Sequence, residues 1–353
     1  GQTGTVKDRT RNLADIGKIG VYVNLPGLGD MVFITPLFRA LKRGFPGAET
    51  CFIGRMGRAY VAPLLETSPY IDRLLEYDFY HPRDVRHHLD FIRRARRERF
   101  DLLIDTQRKF VPSLILALAG ARFRVGYSAA GVFSHFRVES RDRAARHTAD
   151  VSLDLVRALG IPAELELEVN VPAENIRNAE TFFEEHGIAA DAKVLGLIPS
   201  AGMPDKRWDA VNFAEVARAF HAEGFAVIVF GAEADAAAVS SVRAAAGVPV
   251  VHGYVPGGSV LDAAALMRRC AVVVGNDSGP LHLAAAAGAP CVGIYGPTLP
   301  TRFGLLGARA RNICRFEACA PCGVEKCDHR KCIAAITPEE VIAAAVELLS
   351  RDV

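Results

Sequence analysis

The sequence has little that would place a protein in a membrane or on a nucleic acid. No apolar run approaches the roughly 18 residues that a spanning helix needs, and residues 113–121 (SLILALAGA), about half that length, are expected to form a core helix. The net charge is only +2, so the overall balance attracts neither nucleic acid nor an anionic membrane. Residues 1–18 carry no secretion signal, are expected to be a flexible lead-in, and lead us to expect a cytoplasmic protein.

The sequence also lacks the G-x-G-x-x-G turn that binds dinucleotides. The first predicted strand, residues 19–24 (IGVYVN), is followed by LPGLGD, in which Asp30 interrupts the glycine pattern. This difference disfavours a nicotinamide-dependent oxidoreductase on tandem Rossmann units, which is the first rival interpretation.

What the sequence does contain is a repeated alternation of strand-like and helix-like segments. Its 353 residues are enough for two domains, each with its own core. The alternation predicts two doubly wound α/β domains, and a ligand bound between them would meet the glycine turns at the carboxyl ends of the strands. We expect an amino-terminal domain over residues 19–172, a carboxyl-terminal domain over 173–336, and a final helix over 337–353 with a capping box.

The clearest single stretch is residues 275–300 (GNDSGPLHLAAAAGAPCVGIYGPTLP). It predicts a turn after a buried strand, a short helix that begins near Pro280, and a second strand. Free backbone N–H groups at such a helix start favour phosphate, whereas Asp277 would repel it and suits neighbouring hydroxyl groups. Phosphate and hydroxyls together indicate a nucleotide-linked sugar.

Asp30 lies at the tip of the first glycine turn, and two interpretations of it stay open. It caps a helix, or its carboxylate, left uncovered by Gly27 and Gly29, is a base whose pKa burial in a cleft would raise. The following helix either begins at Asp30 and bends at Pro36 or has its regular part begin at Thr35.

A second candidate is Lys206, in the loop that follows the first strand of the second domain. Either the loop end is solvated, with Trp208 packed on the next helix, or Lys206 neutralises a diphosphate. In the latter case Ser200, the backbone at Gly202 and the adjacent Arg207 supply further donors.

Glu233 follows the strand at residues 226–231. At the carboxyl end of a parallel strand an acid commonly binds ribose hydroxyls, but an acid favoured by a helix dipole is an equal alternative.

Five of the eight cysteines lie between Cys314 and Cys332. Cys319 and Cys322 have a metal-like spacing, but Cys327 and Cys332 do not repeat it. Reduced or paired thiols and a structural zinc or iron site on Cys319, Cys322, Cys327 and Cys332 are the alternatives.

A basic run over residues 93–99 (RRARRER) lies on a predicted helix. It is either a solvated helix face or a surface for an acidic, phosphorylated acceptor or an anionic membrane.

Four stretches, taken in order, resemble glycosyltransferase family 9, the heptosyltransferases of lipopolysaccharide core assembly. They are residues 27–46 (GLGDMVFITPLFRALKRGFP), 199–208 (PSAGMPDKRW), 276–290 (NDSGPLHLAAAAGAP) and 319–332 (CAPCGVEKCDHRKC). The last is nearest the heptosyltransferase II branch. The resemblance implies a GT-B fold, in which two Rossmann-like domains face each other across a cleft. It also implies an ADP-heptose donor and inverting transfer that requires neither a catalytic metal nor another cofactor.

The same resemblance implies a role for individual residues. Asp30 would be the general base, Lys206 would neutralise the departing diphosphate, and Asp277 would hold heptose hydroxyls. The further substrate contacts would be Ser278, Gly279 and His282 on the phosphates, Glu233 on the adenosine ribose, and Gly29, Ser200, Gly202 and Arg207 nearby.

The acceptor would be an anionic saccharide or glycolipid, either lipopolysaccharide inner core or a related glycan, at the inner face of the cytoplasmic membrane. Ala201 and Gly202 stand where the family often has hydroxyl side chains, so contacts there would come from the backbone. The alternatives are a family 9 enzyme that glycosylates a natural product or another glycan, and a non-catalytic protein that binds a nucleotide sugar. The oligomeric state is left open.

Overall fold

The computed structural model groups the chain into two compact units, one of Gly1–Pro26 with Phe33–Leu165 and one of Gly27–Val32 with Glu166–Val353. No helix among the described residues is long and apolar enough to cross a bilayer. The described residues are 13, 15–24, 27–56, 61–79, 84–127, 133–139, 142–316, 319, 322, 327 and 329–351.

The described residues of the first unit form one six-stranded parallel sheet. Its strands are β1 (Lys18–Val23), β2 (Glu49–Gly54), β3 (Arg73–Glu76), β4 (Leu102–Asp105), β5 (Phe123–Tyr127) and β6 (Phe136–Val138). The spatial order is β3-β2-β1-β4-β5-β6, so the chain turns back between β1 and β4, where Val21 pairs with both Phe52 and Ile104. The helices up to residue 165 are α1 (Leu28–Phe33), α2 (Thr35–Gly44), α3 (Val61–Glu66), α4 (Val85–Glu98), α5 (Phe110–Ala119) and α6 (Thr148–Arg157).

The second unit repeats this plan. Its strands are β7 (Val194–Ile198), β8 (Ala226–Phe230), β9 (Val251–Gly253), β10 (Val272–Asn276), β11 (Cys291–Tyr295) and β12 (Ala310–Cys314). They pair in the order β12-β11-β10-β7-β8-β9, so the reversal falls between β7 and β10, and ligands of doubly wound sheets bind at such a reversal. The helices are α7 (Ala173–Glu185), α8 (Ala210–Ala222), α9 (Ala236–Ala246), α10 (Val260–Arg269), α11 (Gly279–Ala286), α12 (Pro300–Phe303), α13 (Lys331–Ala334) and α14 (Pro338–Arg351). The prediction of two doubly wound α/β units is confirmed.

Local sequence accounts for several element ends. Pro36 cannot supply the N–H of a continuous helix, and the chain divides there into α1 and α2, with Ile34 between them. Gly288, at φ +99°, follows α11 in the left-handed region that glycine tolerates. The expected capping box also forms: the Thr337 N–H donates to Glu340 Oε2 at 3.0 Å, and the Glu340 N–H donates to Thr337 Oγ1 at 3.4 Å.

Asp105, the last residue of β4, has a buried carboxyl group. It lies where the strand order of the first sheet reverses. Asp105 is 5% exposed and accepts hydrogen bonds from the Ser113 hydroxyl and, at 2.8 Å, from the Gln107 N–H. Burial raises the pKa of Asp105 to about 6, although these two hydrogen bonds act to lower it. The Asp105 carboxyl group therefore links α5 to the sheet. Its contribution to the free energy of unfolding depends on pH, because its pKa is raised by burial.

We predict that this group makes the stability of the first unit fall as pH rises. The folded pKa, about 6, lies above the unfolded value of about 3.9, so the free energy of unfolding decreases between about pH 4 and pH 6. Asp105→Asn keeps the side-chain shape and should remove this decrease. Urea denaturation across this pH range checks it, with the exposed Asp191→Asn as control. Parallel pH dependences for Asp105→Asn and the unmodified protein would contradict the assignment.

Candidate active site

Asp277, the first residue after β10, is the centre of a cluster of charged side chains. Its Oδ2 accepts hydrogen bonds from Lys206 Nζ at 2.7 Å and from Thr298 Oγ1 at 2.5 Å, and its Oδ1 lies 3.3 Å from His282 Nε2. Asp277 is only 4% exposed and His282 only 3%. The carboxylate therefore joins three side chains from separate segments in a site shielded from water.

Asp277 is held in its ionised form. Burial alone would raise its pKa, but the hydrogen bond from His282 and the charges of Lys206 and His282 oppose this and lower the pKa to about 2. The Asp277 carboxylate is thus ionised at physiological pH, and its 2.7 Å hydrogen bond with Lys206 Nζ keeps that side chain at the carboxyl end of the sheet.

The loop that carries Lys206 is anchored by Asn276, the last residue of β10. The Asn276 amide is fully buried; its Nδ2 donates to the Pro199 carbonyl at 2.7 Å, and its Oδ1 accepts from the Trp208 N–H at 3.0 Å. Trp208 packs on Phe213 of α8, with ring centroids 5.2 Å apart, as the sequence predicted. Both ends of the loop are therefore fixed, and Lys206 ends a short 3₁₀ turn between them.

The start of α11 lacks the side-chain cap that would compete with a bound anion for its backbone N–H groups. Ser278 precedes the helix in an extended conformation, and its hydroxyl makes no capping hydrogen bond. Ser278 Oγ is buried and has no hydrogen-bond partner among the described residues. The first N–H groups, at Gly279 and Leu281, are therefore not occupied by the side chain that usually caps them.

Asp30 belongs by its contacts to the second unit, within the segment Gly27–Val32. It is the third residue of α1, not the residue before it, and its Oδ2 accepts from the Gly27 N–H at 3.0 Å. A Cβ on Gly279 would lie 2.7 Å from Leu28 Cβ, and one on Gly29 would lie 3.2 Å from His282 Cδ2. Two glycines thus allow α1 to touch the start of α11.

The pKa of Asp30 is shifted in the opposite direction from that of Asp277. Burial raises it, while the Gly27 N–H and the charges of His282 and Lys206 act to lower it. Asp30, Asp277, Lys206 and His282 are therefore close enough to affect one another. A carboxylate with a raised pKa accepts a proton more readily, which suits a general base.

Four other predicted residues lie in the loops that follow β7 and β8. Ser200 is buried after β7, Gly202 is exposed, and the exposed Arg207 donates from Nε to the Ala201 carbonyl at 2.9 Å. Glu233 is exposed at the start of a 3₁₀ turn after β8. No hydrogen bond within the described part of the chain joins Glu233 or Arg207 to Asp277, and their roles stay predictions.

Thr298 was missed by the sequence analysis. It follows β11, the strand that pairs with β10, so its position at the same sheet edge as Asp277 was available as a signal. A threonine in a loop carries no chemistry of its own, and only the strand pairing makes it a partner of Asp277.

Comparison with known proteins identifies the family. The family described as glycosyltransferase family 9 (heptosyltransferase) matches residues 88–333. This chain belongs to glycosyltransferase family 9. It is 26% identical to lipooligosaccharide heptosyltransferase 2 of Haemophilus influenzae, over 92% of this chain and 97% of that protein. It is also 26% identical to lipopolysaccharide heptosyltransferase 2 of Escherichia coli K12, over 81% and 85%.

Solved structures agree with the family and give the fold. A family 9 glycosyltransferase of Veillonella parvula superimposes with a TM-score of 0.80 at 25% identity, over 95% of this chain and 98% of that one. The ADP-heptose lipopolysaccharide heptosyltransferase II of E. coli gives a TM-score of 0.76 at 23% identity, over 95% and 99%. The family 9 chain therefore has the GT-B fold.

The cysteine-rich segment of the family 9 chain is described only in part. Burial raises the pKa of Cys314 and Cys332, and each is raised further by neighbouring thiols. Cys327 Sγ lies 3.2 Å from His329 Nδ1. No group of three or more His, Cys, Asp or Glu side chains is placed to hold a metal among residues 13–351 as far as these are described. Several residues between Cys314 and Cys332 lie outside the described residues, and the metal-site alternative stays a prediction.

We predict that Asp277→Asn lowers the free energy of unfolding by about 3 kcal/mol at pH 7, because Lys206 loses a buried partner. The folded pKa of Asp277, about 2, lies below the unfolded value of about 3.9, so this stabilisation is present above about pH 4 and is lost as pH falls toward 2. Urea denaturation at several pH values measures the difference. Thr298→Val removes only a neutral donor and should cost about 1 kcal/mol. Equal losses for the two variants would show that the ion pair does not contribute.

Proposed function

We propose that this family 9 chain is an inverting heptosyltransferase. It moves a heptose from an ADP-heptose donor to a hydroxyl of a saccharide acceptor, lipopolysaccharide inner core or a related glycan. The observation that carries the proposal is one unit in which Asp30, with its raised pKa, lies near Lys206, His282 and the uncapped start of α11. The relatives named lipooligosaccharide and lipopolysaccharide heptosyltransferase 2 support the choice of sugar and acceptor.

The donor diphosphate binds where positive charge is concentrated. The N–H groups at the start of α11 and the Ser278 hydroxyl face the phosphates, Lys206 supplies positive charge, and the His282 ring supplies a further contact. As the bond from the anomeric carbon to the β-phosphate oxygen breaks, the electron pair passes to that oxygen. Lys206 stabilises the charge that develops there, so in this mechanism the chain itself supplies the electrostatic stabilisation of the leaving group.

The acceptor hydroxyl is activated by Asp30. Its carboxylate takes the hydroxyl proton as the oxygen attacks the anomeric carbon on the face opposite the leaving ADP, which inverts the configuration. Burial assists this step by raising the pKa of Asp30, which makes its carboxylate a better proton acceptor.

In this proposal Asp277 positions Lys206 and also binds the sugar of the donor. Lys206 and Thr298 occupy Oδ2. Among the described residues Oδ1 has one hydrogen-bonding neighbour, His282, and it keeps a lone pair that can accept from a heptose hydroxyl. Glu233, exposed after β8, binds the adenosine ribose. Gly29, Ser200, Gly202 and Arg207 complete the substrate contacts through backbone and side-chain donors.

We predict that Asp30→Asn lowers kcat at least about a hundredfold, as expected when a general base is removed. Donor affinity, measured by calorimetry with ADP, should stay within a factor of about three, because the amide keeps the side-chain shape. In the unmodified protein the acid limb of the kcat/KM profile should lie above the ordinary aspartate range. Retained turnover in Asp30→Asn would remove the catalytic assignment and favour a non-catalytic nucleotide-sugar-binding protein.

We predict that Lys206→Ala weakens ADP binding about tenfold or more, because a charge-assisted contact to the diphosphate is lost. Isothermal calorimetry measures the change. Lys193→Ala is the matched control: Lys193 is exposed, its Nζ lies 5.7 Å from the centroid of the Phe225 ring, and the variant should bind ADP normally. Unchanged ADP affinity in Lys206→Ala would contradict its role on the diphosphate.

A further inference from the structure

Helix α5 of the first unit is apolar on the face that meets solvent. Its one polar side chain, Ser113, is turned inward and donates to Asp105. Its outer face instead presents Phe110 at 55% exposure, Val111 at 44% and Leu118 at 45%. A helix at the surface of a domain normally has a polar outer face. The sequence predicted a core helix here, but only one side of α5 is buried, and its other side exposes apolar residues to solvent.

The neighbouring helix α4 extends this apolar surface. Arg96 Nε donates to the Leu118 carbonyl at 2.8 Å and so joins the two helices. Val85, 62% exposed, and Leu89, 44% exposed, lie on the same side of α4 as Arg96 by helical spacing. Five of the nine large hydrophobic side chains that are exposed among the described residues therefore lie on these two helices.

A ridge of arginines borders the apolar side chains. Arg86, Arg93 and Arg97 are exposed at helical spacing on α4, and none of them forms an ion pair within the described part of the chain. The acids of α4 are engaged elsewhere, Asp90 with Arg94 of the same helix and Glu98 with Lys18 and Arg73. The positive charge of this ridge is thus not neutralised by any ion pair among the described residues.

We propose that this surface, which we call the α4–α5 face, docks on an anionic lipid bilayer. It consists of Val85, Leu89, Arg86, Arg93 and Arg97 on α4 and Phe110, Val111 and Leu118 on α5. The apolar side chains enter the boundary between headgroups and acyl chains, and the arginines bind lipid phosphates, as in interfacial helices. The inference goes beyond the transfer reaction and uses none of the residues assigned to it.

Charge and length favour a bilayer over the other occupants. A second copy of this chain would bring one arginine ridge against another, and like charges facing each other oppose association. The 10 residues of α5 extend about 15 Å, half of the roughly 30 Å hydrocarbon core, so the helix lies along the surface and does not span it.

Sedimentation of the full chain with vesicles tests the proposal. It should sediment with phosphatidylglycerol vesicles at low salt and much less with phosphatidylcholine vesicles or at high salt. Arg93→Gln with Arg97→Gln should lower the partition coefficient about 30-fold, since each arginine near an anionic surface contributes about a factor of five. Val111→Gln with Leu118→Gln should lower it about tenfold through lost apolar burial.

Matched pairs in the second unit control for general effects of charge and apolar area. Arg177→Gln with Arg243→Gln changes two exposed arginines, and Val211→Gln with Val346→Gln changes two exposed apolar side chains; both controls should bind vesicles normally. Equal binding by the α4–α5 variants and these controls would overturn the proposal. A change from dimer to monomer in Val111→Gln with Leu118→Gln would also overturn it, in favour of a second copy. ADP calorimetry on the same proteins separates a failure here from a failure of the proposed transfer reaction.

Discussion

The buried ion pair between Asp277 and Lys206 is the interaction on which the rest of the candidate site depends. A carboxylate with so little exposure is stable only because Lys206, Thr298 and His282 satisfy it. In return, each of these side chains is held at the carboxyl edge of the second sheet. The pair therefore orders the cationic side of the site before any substrate arrives, which reduces the reorganisation that binding a diphosphate would require.

The second constraint is the close steric approach of α1 to the start of α11, which is possible because Gly279 has no side chain. Helix α1 approaches the start of α11 so closely that a methyl group on Gly279 would collide with Leu28. This approach brings Asp30 within the electrostatic influence of His282 and Lys206. The contact thus depends on Gly279, a Cβ on Gly29 would add a tight 3.2 Å contact with His282 Cδ2, and Asp30 is the carboxylate that this packing positions.

The same two side chains, Lys206 and His282, act on the pKa values of two carboxylates, with opposite outcomes. Asp277 is in direct contact with Lys206 and His282, and this contact outweighs its burial, so its pKa is low. Asp30 feels those charges without a direct hydrogen bond to either, and burial prevails, so its pKa is raised. Environments that separate the pKa values of two acids in one site are typical of enzymes that need one permanent anion and one proton acceptor.

How far the sequence determined this protein can be seen from particular elements. The β-branched run at β10, the Pro280 start of α11 and the Thr337 capping box are local signals, and each predicted its element because strand burial and helix capping depend on near neighbours. The alternation of strands and helices likewise determined the doubly wound class, and Asp30, Lys206, Asp277 and His282 were all identified from motif positions.

Only the tertiary structure decided how those residues meet. The pairing of β10 with β11 brings Thr298 to Asp277 across 21 positions of sequence, and the fixing of the 199–208 loop by Asn276 brings Lys206 to the same carboxylate across 71. The solvent-facing apolar side of α5 was hidden for the same reason, since composition gives the polarity of a helix but not which side the sheet covers. Contacts between distant segments depend on the packing of the whole chain, and no local pattern of residues contains that information.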